Sequence, residues 1–277
     1  MRPVGDQPLF DISGHVALVT GANHGIGAAT ARLLAGCGAS VILSYLRLQD
    51  LPDTGIPVTT RENRARTAEH LVKSIKGDGG AAMAIEADLS DESVLGGIFD
   101  EAESNFGPID ILVNNASGWI ADTFDADTAD RFGRSLRRVS AETFDQQFGV
   151  DARATALLIS EFALRHVRHD LDWGRIVGLT SGGVLGTPEE VSYGAAKSAL
   201  ESYTMSAAVE LASRGITANV VHPPVTDTGW VTDEVRRHVE NDPYLIHVAQ
   251  PEDIADVIGY LVSDDARLIT GNIIHLR

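Results

Sequence analysis

The 277-residue chain is short of cysteine, of positive charge and of long apolar runs, and each shortage excludes something. One cysteine, Cys37, rules out an internal disulfide framework and any multi-cysteine zinc site. Lysine and arginine total 22 against 39 aspartates and glutamates, a net charge of −17. A surface so acidic is wrong for the phosphate backbone of a nucleic acid and for an anionic membrane, so no nucleic-acid or membrane partner is expected. No stretch of about 18 apolar residues is present to span a bilayer, and Met1 to Phe10 carries no apolar core of a signal peptide. The expectation is a cytoplasmic protein.

Short apolar runs alternate with longer segments of helical period. Val16–Val19, Ser40–Leu43, Ala82–Ile85, Ile109–Val113, Arg175–Leu179, Ala218–Val221 and Asn272–Ile274 read as strands. Between them, Gly27–Gly36, Thr67–Ile75, Ser90–Ser104, Ala141–His166, Tyr193–Ser213 and Glu252–Val262 read as helices. Continuous apolar strands alternating with helices predict an α/β fold, a doubly wound parallel sheet of Rossmann type with helices on both faces. No break in composition divides the chain, so residues 1–277 are read as a single dinucleotide-binding oxidoreductase domain with an N-terminal extension at 1–13. Residues 48–63 hold two prolines and little periodicity and read as an insertion loop. Ser117 to Ser140 is polar, with aspartates at 122, 125, 127 and 130 followed by arginines at 131, 134, 137 and 138. That spacing predicts a solvated helix laced by charge pairs three and four residues apart, and it lacks the glycine and terminal glutamate of a calcium loop. No metal site is expected.

Thr20 to Gly27 (Thr-Gly-Ala-Asn-His-Gly-Ile-Gly) follows the first strand and opens the first helix. Glycines there allow a tight exit, a close approach of an anion and close helix packing, and free N–H groups at the helix start favour negative charge. Gly21, Asn23, His24, Gly25, Ile26 and Gly27 are therefore candidates to hold a nucleotide pyrophosphate. The spacing Gly-x-x-x-Gly-x-Gly resembles the cofactor signature of the short-chain dehydrogenase/reductase family. Further motifs match the same family in order, from about His15 to Ile274. The resemblance implies that Asp88 and Leu89 border the adenine, and that Asn115 and Ala116 lie beside the ribose at the fourth strand's end. Ser117 stands where the family usually has glycine. The exit of the second strand, Ser44 to Leu46, carries no carboxylate to bond a ribose 2′-hydroxyl, and His24 sits where NADP-using relatives often carry a basic residue. NADP(H) is expected over NAD(H).

Tyr193-Gly-Ala-Ala-Lys197 puts a phenol and an ammonium one helical turn apart. A phenol of ordinary pKa near ~10 is a poor proton donor or acceptor at neutral pH, and a neighbouring ammonium favours its ionised form. Tuned in this way, it can trade a proton with a carbonyl or alcohol oxygen. Ser181, twelve residues earlier, resembles the family's serine that donates to the substrate oxygen, with Thr180 as fallback. Where relatives carry a relay asparagine, this chain has Asp151, kept as a member of the site. His222 to Gly229 resembles the segment that meets the nicotinamide, and Val225 and Thr226 are the expected contacts, although Pro224 fills the usual glycine place. Residues 226–248 are the expected substrate lid, helical from Trp230. A serine hydrolase elbow is excluded because Leu179-Thr-Ser-Gly-Gly183 lacks its first glycine.

The expected activity is that of an NADP(H)-dependent oxidoreductase, resembling 3-oxoacyl-[acyl-carrier-protein] reductase-like members. It would interconvert a small-molecule carbonyl and an alcohol, with Tyr193 as acid/base and Lys197 tuning it and binding the nicotinamide ribose. The resemblance also implies a homodimer or homotetramer. Asp151 and Pro224 leave open a rival reading, a nucleotide-binding regulatory or scaffold protein with impaired catalysis.

Overall fold

The computed structural model describes residues 9–49, 56–183 and 185–277. Residues 1–8 of the N-terminal extension and 50–55 of the insertion lie outside the described residues. Seven strands form one parallel sheet in the order β3-β2-β1-β4-β7-β8-β9. They are β1 (Val16–Thr20), β2 (Ser40–Tyr45), β3 (Ala81–Glu86), β4 (Ile111–Asn114), β7 (Gly174–Leu179), β8 (Ile216–His222) and β9 (Ile273–His275). The expected doubly wound architecture is present.

Alternation along the strands assigns each side chain to one of two cores. Ala17 and Val19 of β1 point to the face covered by α1 (Gly25–Gly36), α3 (Glu69–Gly77) and α9 (Pro251–Val262), where Leu34, Leu71, Ile75 and Ile258 are buried. Val16 and Leu18 point to the face covered by α4 (Leu95–Asn105), α6 (Thr155–Arg168) and α7 (Val191–Glu210), where Phe99 and Phe162 are fully buried. Both faces are covered, which is why the central strands read as unbroken apolar runs.

The chain winds outward through β1, β2 and β3, then crosses back to place β4 on the other side of β1. The winding reverses at the C-terminal ends of β1 and β4, the usual ligand position in such sheets.

Three expectations need correction. The insertion read as a loop contains a helix, α2 (Val58–Ala65), which begins after Pro57 and buries none of its residues. With no apolar face, it has no period to read. The segment 117–140 is not a helix: it holds two short parallel strands, β5 (Asp122–Thr123) and β6 (Arg137–Arg138). Asp122 and Asp130 are buried rather than solvated, because Asp122 accepts hydrogen bonds from the Ser192 N–H and hydroxyl at the start of α7. The long helix over 141–166 is three pieces: α5 (Ala141–Phe148), a π-helical turn at Gly149–Ala154, and α6. The lid is helical over α8 (Asp233–Asn241).

Candidate active site

The turn after β1 is built as its glycines require. Gly21 and Gly25 adopt φ of 64° and 56°, a region costly for side chains bearing a Cβ. A Cβ at Gly21 would stand 2.8 Å from the Ala116 Cα. The Thr20 hydroxyl accepts from the N–H groups of Asn115 and Ala116, both at 3.0 Å. The Asn115 amide donates to the carbonyls of Thr20 (2.8 Å) and Gly21 (3.1 Å). Asn115 and Ala116 therefore lie at the turn as expected, but the Asn115 amide is committed to bracing it. Ile26 is half-buried in the first turn of α1.

A Cβ at Gly25 would meet the Thr228 methyl at 2.9 Å, so Thr228 stands beside the turn. Thr226, the expected contact, is buried, and its hydroxyl donates to the Pro224 carbonyl at 2.9 Å. Val225 remains half-buried, with its carbonyl accepting from Ala249 N–H.

At the exit of β2, register pairs Tyr45 with Glu86 of β3. Arg47 Nε then donates to both oxygens of Glu86, at 2.8 and 3.0 Å. The carboxylate absent from β2 is supplied by its neighbour. His24 is not the basic group its position suggested. Burial, aided by the nearby Arg64 guanidinium, pushes its pKa down to about 4, so it is neutral at pH 7. Asp88 is exposed and accepts from the Ser90 N–H (2.9 Å) and hydroxyl (2.7 Å), while Leu89 is buried.

The catalytic candidates converge. Tyr193 and Lys197 lie on one face of α7, with the ammonium 5.6 Å from the phenol ring centre. Ser181, just past β7, lies beside the phenol and pulls its pKa down. Thr180 does not share that role, since its hydroxyl donates to Glu201 at 2.6 Å. Lys197 is 2% exposed; its ammonium donates to the Leu179 carbonyl (2.9 Å) and lies 2.8 Å from Asp151 Oδ1.

The other oxygen of Asp151 accepts from Gly118 N–H (2.8 Å), Gln147 Nε2 (2.7 Å) and the Ser117 hydroxyl (3.2 Å). Sequence reading missed Ser117 and Gln147 as partners of the site. The π-helical turn that carries Asp151 is a local distortion of a kind frequent at functional sites.

One electrostatic expectation is overturned. The lysine alone would make the phenol more acidic, yet Tyr193 is held above its ordinary value. Burial is the largest cause; Lys197 and Ser181 pull down, Asp151 and Glu190 push up. For Lys197, burial works against its charge but is outweighed by Asp151 and Tyr193, so its pKa is raised.

The segment carrying β5 and β6 forms a wall beside the phenol. Glu190, just before α7, accepts from the Trp119 indole (3.0 Å) and from Arg134 (3.1 Å). Arg134 also pairs with Asp130 at 2.5 Å and lies over the Trp119 ring at 4.9 Å. In β4, both amide atoms of Asn114 are buried with no hydrogen-bond partner among the described residues. Among the described residues no group of three or more His, Cys, Asp or Glu is placed to hold a metal ion, and no helix is long and apolar enough to cross a membrane.

A family model described as Enoyl-(Acyl carrier protein) reductase matches residues 21–276. The chain is 31% identical to the 3-oxoacyl-[acyl-carrier-protein] reductase of Synechocystis sp., over 94% of each chain. It resembles the crystal structure of the angucycline C-6 ketoreductase LanV with bound NADP (32% identity, 96% of this chain and 95% of that one, TM-score 0.76). It also resembles a short-chain dehydrogenase/reductase from Serratia marcescens (28% identity, 98% of each chain, TM-score 0.78).

Proposed function

Because this chain belongs to the short-chain dehydrogenase/reductase family, we propose that Tyr193, Ser181 and Lys197 are the working groups of its hydride-transfer chemistry, drawing on NADPH. The protein is an NAD(P)(H)-dependent oxidoreductase interconverting a carbonyl and an alcohol. The rival reading of lapsed catalysis finds no support in these relatives.

The residues present fit a dinucleotide. The glycines of the turn at Gly21–Gly27 pack against Ala116, Asn115 and Thr228 too closely for side chains, the first turn of α1, with no side-chain cap at His24, offers N–H groups to a pyrophosphate, and the unpartnered Asn114 amide faces no competing bond within the described fold. Gly21, Asn23, Gly25, Ile26 and Gly27 would hold the pyrophosphate, with Asp88, Leu89, Asn115 and Ala116 on the adenosine side. Val225 and Thr228 would lie towards the nicotinamide. When bound, the cofactor supplies the hydride. The NADP held by LanV supports the choice of NADPH.

The phenol of Tyr193 gives its proton to the carbonyl oxygen during reduction and takes it back during oxidation. Ser181, beside that phenol, donates its one hydroxyl proton to the same substrate oxygen. A donor aimed at developing negative charge contributes about 3 kcal/mol. Lys197 stays charged, because Asp151 outweighs the cost of its burial, and its charge is the counterweight that keeps the phenol from rising further. Asp151 positions the lysine. Trp119 and its Glu190–Arg134 brace form an apolar wall with a polar back, which suits a carbonyl compound with a ring body. Exposed Leu157, Leu164, Tyr203 and Val209 on α6 and α7 support association into a homodimer or homotetramer.

The observation that carries this reading is the Ser181–Tyr193–Lys197 convergence at the C-terminal end of the sheet. Its test is NADPH consumption by the purified protein across aliphatic, monocyclic and polycyclic ketones and aldehydes. Consumption with a ring-bearing ketone is expected. Tight NADPH binding with no consumption across the whole panel would overturn it.

A further inference from the structure

The run of aspartates and arginines at 122–138 has no part in the chemistry assigned above, yet the segment that carries it is fastened to both sides of the catalytic centre. At its start, the Gly118 N–H and the Ser117 hydroxyl donate to Asp151, the partner of Lys197. Further on, the segment holds the entry of α7, where Tyr193 stands. Asp122 accepts from Ser192, the residue before the phenol. The Arg131 N–H donates to Glu189 at 3.0 Å. Trp119 Nε1 and Arg134 Nη2 both donate to one oxygen of Glu190, at 3.0 and 3.1 Å.

The backbone of this entry is strained. Glu189 has φ of 66°, in the left-handed region that a glutamate adopts rarely. Glu190 follows it at the position before the first turn of α7, where a carboxylate commonly accepts from helix N–H groups. It makes no such cap; its oxygen is turned to the indole and the guanidinium instead. The pair is largely out of water, with the side chain of Glu190 22% and that of Arg134 14% exposed. Arg134 is fixed in turn by the buried Asp130, which accepts from its backbone N–H (2.8 Å) and its Nε (2.5 Å).

A carboxylate close to a phenol opposes its ionisation, and Glu190 acts on Tyr193 in that direction. The other charged groups that act on the phenol are Lys197 on the same helix, which favours ionisation, and Asp151 on the π-helical turn, which opposes it. Arg134, bonded to Glu190, is the cation that counters the carboxylate at the helix entry. Capping does not account for this arrangement, because Glu190 caps nothing; setting the charge beside the phenol does.

Resting on the reading of Tyr193 as acid/base, we propose that Arg134 is a positioning residue for it: through its bond to Glu190, Arg134 fixes the entry of α7 and offsets the negative charge before the phenol.

The test follows the Tyr193 phenol directly, by carbon-13 NMR of the full chain labelled at tyrosine Cζ, with Tyr193→Phe identifying the signal. The native protein is compared with E190Q, R134M, R134Q and R131M at about pH 10.5, near the ordinary phenol value. E190Q keeps an oxygen for the indole and the guanidinium but loses the charge, and should raise the phenolate-to-phenol ratio of Tyr193 about three- to tenfold. R134M should lower it by a similar factor, and so should R134Q, which keeps an amide donor for the two carboxylates if R134M fails to fold. R131M alters a side chain that is 65% exposed and should stay within about twofold of the native protein. Opposite movement in the Glu190 and Arg134 variants is a result that simple loosening of the segment does not give. Movement of both in the same direction, no movement in either, or an R131M effect as large as that of Arg134 overturns the assignment. Ketone reduction by the native protein and by Tyr193→Phe separates the two ways of failing. An unmoved phenol with Tyr193→Phe inactive overturns the assignment of Arg134 alone. Tyr193→Phe as active as the native protein overturns the acid/base reading, and the assignment with it.

Discussion

Asp151→Asn removes one charge from the most buried ion pair of the site and almost no volume. In the native protein both partners are out of water: Asp151 is 0% and Lys197 2% exposed. Removing one partner of such a pair costs about 3–5 kcal/mol, because the remaining charge stays buried without compensation. The variant should fall at the low end, about 3 kcal/mol. Asparagine still offers one oxygen to the Gly118 N–H and Gln147 amide, and Lys197 keeps the Leu179 carbonyl.

The lysine pKa is raised in the folded protein, so the stability it contributes is complete below its unfolded value and is lost only as pH climbs through the folded one. The gap between variant and native protein should therefore be level near neutrality and close at strongly alkaline pH. Catalysis gives a second sign. Asp151 pushes the phenol pKa up, so its removal lets the phenol ionise more readily. In the oxidative direction the acid limb of kcat/KM should move to lower pH. Urea unfolding and a pH profile of alcohol oxidation measure the two effects. A variant within 0.5 kcal/mol of the native protein, with an unmoved acid limb, would refute the coupling of Asp151 to Lys197 and Tyr193.

Three other outcomes follow from named contacts. Gly194→Ala would drive a Cβ onto the Thr187 hydroxyl; it should cost about 1–3 kcal/mol in chemical denaturation, and adding Thr187→Ala should recover part. His24 titrates near 4 in the folded protein against 6.5 ordinarily, so the unfolded chain binds the extra proton between those values. Stability should rise with pH across that window, by at most about 3 kcal/mol, and be lost as pH falls through it, and thermal melts of His24→Gln should show a flatter dependence. Asp122→Ala removes both acceptors of Ser192 at the start of the catalytic helix and should cost on the order of 2 kcal/mol, with kcat falling because Tyr193 begins one residue later.

The central sheet was legible because both of its faces are covered, so β1 and β4 open on apolar runs and β7 is apolar from Ile176 to Leu179. Tyr193 and Lys197 were legible because their relation is local, one helical turn. What escaped was set by distant parts of the chain. Glu86 meets Arg47 only through strand register. The charge of His24 depends on burial and on an arginine forty residues away. Asp122, Asp130 and Arg134 carry the spacing of a solvated helix, yet Asp122 is drawn to α7, and the Asp130–Arg134 pair, which does form, braces Glu190. Helix α2 has no buried face to leave a period, and a π-helical turn has no composition of its own.

The proton transfer assigned to Tyr193 is tested most directly by Tyr193→Phe, assayed for NADPH-linked ketone reduction alongside NADPH binding. The account predicts a fall in kcat of about 10²- to 10⁴-fold, the range of a positioned acid, with nucleotide affinity retained. Turnover close to that of the native protein would contradict it.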